Sequence, residues 1–134
     1  MNQRLKIALL LVLYLAVDIA YVSLSLKLYT RYQVAIASGT PKNTLKVVLC
    51  AALAYTTMAI GWLFVCLPLV DAMAKRIPNN RRLAGFVAGA LYGFVLYGVF
   101  NFTVGAMFDG WTWRILAQDL AWGTISLGVI TSLV

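Results

Sequence analysis

Four runs of apolar residues dominate this chain, and each is long enough to cross a bilayer. They extend from about Leu5 to Leu26, Leu45 to Val70, Leu83 to Met107 and Thr112 to Val134. A hydrocarbon core ~30 Å thick needs about 20 helical residues to span it. None of the runs alternates apolar and polar residues as barrel strands do, so helices are the expected spanning elements. The chain is 63% hydrophobic and 11% charged, against roughly 45–50% apolar and about 25% charged in soluble domains. It cannot cover itself with polar surface, which makes lipid the outer solvent. The expected fold is all-α and polytopic. One domain, residues 1–134, forms a four-helix transmembrane bundle with both termini on one side.

The formal charge of +7, taken alone, suggests nucleic acid. In a chain this apolar, Lys and Arg belong at lipid headgroups and in loops. Membrane lipids are therefore the expected partners, and nucleic acid is not. Arg4, Lys6, Lys75, Arg76, Arg81 and Arg82 fall on one side of the bundle. Lys27, Arg31, Lys42, Lys46 and Arg114 fall on the other. The compact "KRIPNNRR" loop is the densest cluster and points both termini towards the cytoplasm. The first loop, residues 27–44, carries Tyr29, Tyr32 and Ile36 at helical spacing. A short helix lying at the headgroups suits it, broken by Gly39 and Pro41. The N-terminal "MNQRLKIALLLVLYLAV" has the look of a secretory signal, but Asp18 occupies the cleavage region. A retained first helix is expected.

Composition also removes most reaction chemistry. The chain has no His, hence neither the commonest general base nor the commonest metal ligand. It has no Glu, and its side-chain carboxylates are Asp18, Asp71, Asp109 and Asp119. Cys50 and Cys66 lie sixteen positions apart in one run, ~24 Å along a helix, too far to bridge. They read as small hydrophobes facing the membrane. No catalytic residue, metal site or cofactor is expected, and the chain does not read as an enzyme.

The polar residues inside the runs are the informative ones. At ~1.5 Å per residue, Asp119 lies ~10 Å below the third-loop surface, Asp18 ~12 Å and Asn101 ~9 Å. The second helix reaches this layer near Tyr55, and Tyr97 stands one turn from Asn101. Turned inward, Asp18, Asn101, Asp119, Tyr55 and Tyr97 would form a polar pocket open towards the first and third loops. A lone carboxylate at such depth costs roughly 2.5–3.5 kcal/mol or more. Two of them need partners or a shared proton. Gly85, Gly89 and Gly93 repeat every fourth residue on the third helix, and Gly123 lies four residues after Asp119. Small residues let helix backbones approach closely in lipid, so these four are expected at helix packing contacts. Lys27, Arg31, Lys42 and Lys46 would collar the mouth of the pocket and contact anionic headgroups.

Several segments together, "DIAYVSLSLKLYTRYQ", "AALAYTTMAIGWLFVCLPL", "GALYGFVLYGVFNFTVG" and "DLAWGTISLG", resemble a family of small four-helix membrane proteins. That family is found mainly in bacteria, and its function is unassigned. The resemblance rests on the Asp of the first helix (Asp18), an aromatic–Asp–x–Thr–Asn motif in the third and Asp–x–x–Trp–Gly in the fourth. The last is intact as Asp119, Trp122 and Gly123. In the third helix Phe100 and Thr103 match, but Asn101 stands for the Asp and Val104 for the Asn. The resemblance implies a fold and no activity. Two functional readings remain. In one, the intramembrane polar site binds a small polar or lipid-headgroup ligand or relays protons. In the other, the chain is a non-catalytic structural or accessory subunit of a larger membrane complex, or a homo-oligomer.

Overall fold

The computed structural model describes residues 2–36, 44–107 and 110–134. Helix α1 runs Gln3–Ile36, α2 Thr44–Gly61, α3 Leu67–Arg76, α4 Arg81–Met107 and α5 Trp113–Ser132. A π-helical turn, Trp62–Cys66, joins α2 to α3, so these three pieces make one rod. The result is four rods. Helices α1, α4 and the α2–α3 rod supply spans long and apolar enough to cross a membrane. Helix α5, 20 residues long, is less apolar because it carries Arg114, Gln118 and Asp119, and its Asp119 and Thr131 are buried. Its outer face still presents Ile125, Val129 and Leu133.

The solvent preference of this fold is inverted. Leu24 is 82% exposed and Phe64 74%, whereas Asp18 is 4% exposed, Asn101 0% and Asp119 7%. In water that pattern would be strongly unfavourable; in hydrocarbon it is the stable one.

Two boundaries differ from the expectation. Helix α1 does not end near Leu26 but continues to Ile36. The stretch after Leu26 contains no Gly or Pro, so nothing in it stops a helix. Gly39 and Pro41, with the rest of residues 37–43, lie outside the described residues. The second rod continues past Val70 to Arg76. Its π turn has a local cause. Pro68 lacks an N–H and its ring would collide with the carbonyl of Phe64 in a regular helix. Widening the preceding turn by one residue relieves that collision.

Helices α4 and α5 form the spine. Their register steps four residues down one helix for four up the other. A methyl group on Gly85 would meet the Thr131 carbonyl, on Gly89 the Leu127 carbonyl, and on Gly93 the Gly123 carbonyl. On Gly123 it would strike the Tyr97 ring. Backbone therefore touches backbone along this seam, which only residues without a side chain permit. The tight α3–α4 turn is fixed by Asn79, whose φ of 65° is left-handed. Asn80 caps α4, its Oδ1 accepting from Leu83 N at 2.9 Å. At the same end Lys6 Nζ donates to the Val134 oxygen at 3.2 Å. The start of α1 and the end of α5 thus share one end of the bundle with the α3–α4 turn.

Replacing Gly93 by Ala is expected to destabilise the protein by about 1–3 kcal/mol through overpacking. Gly98→Ala is the matched control. Its added carbon would find nothing nearer than 3.6 Å, and the alanine favours helix. Thermal unfolding in a mild detergent distinguishes the two; equal losses would remove the glycine seam as the basis of packing.

Candidate functional site

Asp18 stands on the inner face of α1, where Tyr14, one turn earlier, shares that face. Three donors from three other rods converge on its carboxylate. Tyr97 Oη of α4 donates to Oδ1 at 2.8 Å and Trp122 Nε1 of α5 to the same oxygen at 2.9 Å. Tyr55 Oη of α2 donates to Oδ2 at 3.1 Å. Behind them, the Tyr14 and Tyr97 hydroxyls lie 3.0 Å apart, and either can be the donor. Tyr21 stacks on Trp122 with ring centroids 4.2 Å apart and planes within 7°, which holds the indole N–H in line. The Tyr21 hydroxyl itself is buried without a partner.

Asp119 belongs to a second tier. Its Oδ2 accepts from Asn101 Nδ2 at 2.7 Å. The same amide nitrogen donates to the Tyr97 carbonyl at 2.9 Å, and Asn101 Oδ1 accepts from Trp111 Nε1 at 3.0 Å. Trp111 in turn meets Phe100 edge to face at 6.0 Å. The carboxylate of Asp18 is met at the level of Tyr97 and Trp122, that of Asp119 at the level of Asn101. Four residues separate Tyr97 from Asn101, so the tiers are about 6 Å apart.

The expected single layer is therefore two layers, bridged by Tyr97. Tyr97 serves the lower one with its hydroxyl and the upper one with its carbonyl. The reason is helical rise: depths counted from loop boundaries blur a difference of one turn. Nor do the aspartates line an open pocket, since each is buried against donors. A void beside Tyr14, lined also by Leu11, Met58, Trp62, Leu127 and Ile130, measures about 10 Å³. That is the scale of one water molecule.

Of the basic collar, the side chains of Lys27 and Arg31 and the whole of Lys42 lie outside the described residues. Lys46 is exposed at the start of α2. Among the described residues no group of His, Cys, Asp and Glu is arranged to hold a metal ion.

Three of these partners went unrecognised as site residues in the sequence. Tyr14 carried a signal, four residues before Asp18 on the same helical face. Trp122 carried one too, three residues after Asp119. Trp111, close to Trp113 after the third run, carries no sign in the sequence beyond that of an interfacial aromatic. A separate buried cluster was also missed. Trp62 Nε1 donates to Thr131 Oγ1 at 2.9 Å, and Cys66 Sγ lies 3.9 Å from the same oxygen. Cys66 is fully buried and does not face lipid, unlike the exposed Cys50. The π turn rotates it onto α5.

The family described as predicted membrane protein, DUF2177, matches residues 4–134. The chain belongs to that family. The match covers both tiers, so Asp18, Asn101 and Asp119 all lie in the DUF2177 region. No curated protein matches the chain, and no solved structure matches it. The DUF2177 description carries no activity, and the chemistry must be argued from the site.

Tyr97→Phe removes the hydroxyl that links Tyr14 to Asp18 and is expected to cost about 0.6–2 kcal/mol, the range for hydrogen bonds between membrane helices. Tyr21→Phe keeps the stacked ring and removes an unpaired buried hydroxyl, so it is expected to be neutral or slightly stabilising. Unfolding in mixed detergent ranks the two; the opposite order would refute this hydrogen-bond assignment.

Proposed function

We propose that this protein is a small integral membrane protein that holds and relays a proton at Asp18 within the bilayer. The observation that carries the reading is the Tyr14–Tyr97 hydrogen bond, which can run in either direction and is continuous with Asp18. With Asp18 ionised, Tyr14 donates to Tyr97 and Tyr97 to the carboxylate. With Asp18 protonated, the carboxyl donates to Tyr97, and Tyr97 donates to Tyr14. Switching between the two moves one proton along the chain. Each hydroxyl gains a proton as it gives one up, so no tyrosinate is left in hydrocarbon. Tyr55 is half-buried and is the entry group by the same exchange. The small void beside Tyr14 is lined by apolar surface and stays dry, so Tyr14 is the inner end of the chain.

The size of that void favours a proton over the larger ligands the site was expected to bind. A lipid headgroup would have to displace the tyrosines and the indole from Asp18. The rival reading is structural: the carboxylate only clamps four helices together, in a subunit of a larger assembly or a homo-oligomer. Its support is the same set of donors, which would suffice to offset the cost of burying the group.

Proteoliposomes carrying a pH gradient separate the two. The wild-type protein is expected to dissipate the gradient faster than empty vesicles. Asp18→Asn keeps the size of the side chain and an oxygen to accept from Tyr97 and Trp122. Its amide can donate to Tyr55 in place of accepting from it. The variant cannot take up the proton. It is expected to reduce flux at least tenfold with little change in thermal stability. Flux equal to that of empty vesicles, or an unimpaired Asp18→Asn variant, leaves the clamp as the better account.

A further inference from the structure

We propose that the end of the bundle formed by the starts of α1 and α4 and the ends of α3 and α5 is a docking surface for anionic phospholipid headgroups. Arg4, Lys75, Arg76 and Arg82 are exposed there. Among the described residues, the ion pair at this end is Arg81 with Asp71, at 3.0 Å. Arg4, Lys75, Arg76 and Arg82 form no ion pair among the described residues, and the one carboxylate near them, Asp71 a turn before Lys75, is held by Arg81.

The fold assembles these cations. Lys6 reaches the Val134 oxygen, and Gly85 lies against the backbone of Thr131 and Ser132. The α3–α4 turn sets Lys75 and Arg76 beside Arg81 and Arg82. That turn is held by the left-handed Asn79 and the Asn80 cap, so the charges are displayed on a fixed frame.

Their placement runs against local electrostatics. Arg4 and Lys6 stand in the first turns of α1, and Arg81 and Arg82 in the first turn of α4. Helix N-termini carry partial positive charge and disfavour cations. Only Lys75 and Arg76, in the last turn of α3, sit where the dipole welcomes them. Such an arrangement is relieved by an external anion. At the edge of an apolar span the abundant fixed anion is the lipid phosphate. The span Val48–Arg76 ends at these residues and the span Arg81–Met107 begins at them, which puts the charges at headgroup depth. Anionic lipid also gathers in the cytoplasmic leaflet. Docking there places this end, with the start of α1 and the end of α5, towards the cytoplasm.

The probe is the full chain in detergent micelles doped with phosphatidylglycerol or phosphatidylcholine in equal amounts. Retained lipid is counted by mass spectrometry. Phosphatidylglycerol is expected to be retained in several-fold excess, and the excess to shrink as salt screens the charges. Removing a cation near such a surface is worth about fivefold in lipid preference. The R4Q/K75Q/R76Q/R82Q variant should lose the excess, and the pairs K75Q/R76Q and R4Q/R82Q should each lose part of it. These paired variants decide the matter if the fourfold variant does not fold. R114Q, at the opposite end, should retain it. Equal retention of the two lipids by wild type, or an excess unchanged in both paired variants, overturns the proposal. So does inorganic phosphate alone protecting against thermal unfolding as well as phosphatidylglycerol does, because that result marks a site for a free ion.

Discussion

A carboxylate placed in hydrocarbon has no water to turn to, and the bundle is arranged around that constraint. Asp18 belongs to α1, and its acceptors are filled from α2 by Tyr55, from α4 by Tyr97 and from α5 by Trp122. All four rods meet at this one side chain. Lipid is as apolar as leucine, so the hydrophobic effect does little to drive the rods together once they are inserted. Polar contacts and close packing must do it. Asp18 supplies direction as well as attraction, since its partners stand at fixed levels on their helices and specify how far each rod slides.

The glycine seam makes that geometry reachable. Because Gly93 lies against the Gly123 backbone, α4 and α5 approach closely enough for the Tyr97 ring to rest over Gly123. From there its hydroxyl points at Asp18. A side chain at position 123 would push the ring aside and break the connection to both Asp18 and Tyr14. Packing and the polar network are thus a single arrangement. Below Tyr97 the face of α4 turned to α5 is made of small residues, Gly85, Gly89 and Gly93, and above it that helix turns Asn101 inward.

Much of this was legible in the sequence, for definite reasons. The length of the apolar runs prescribes four rods, and a fourfold glycine repeat on one helix face prescribes a close neighbour. Inward polar residues follow from the cost of leaving Asp18 in lipid. What could not be read was register. Counting from loop ends put the two aspartates in one layer because a turn of helix is only ~5.4 Å. The boundary at Leu26 was itself ten residues short of the end of α1. The π turn was equally opaque. Pro68 announces a disturbance, but a kink and a widened turn are equally good solutions until the neighbours are known. Here the neighbours decide: the wider turn brings Trp62 and Cys66 onto Thr131.

The departure at position 101 gives the two tiers different chemistry. An amide donates and accepts at once, which lets Asn101 take the Trp111 indole N–H on its oxygen and give its own N–H to Asp119. A carboxylate in its place could accept from Trp111. It could meet Asp119 only by carrying a proton, because two bare carboxylates at 2.7 Å would repel. Asn101 therefore satisfies the upper tier with no exchangeable acid of its own, and it adds no third carboxyl to Asp18 and Asp119. Tyr97 joins the tiers through its backbone carbonyl, an acceptor with no proton to pass on. In the proposed relay, protons would therefore stay on the hydroxyls of the lower tier and not cross to the upper one. The same residue that couples the tiers mechanically insulates them chemically.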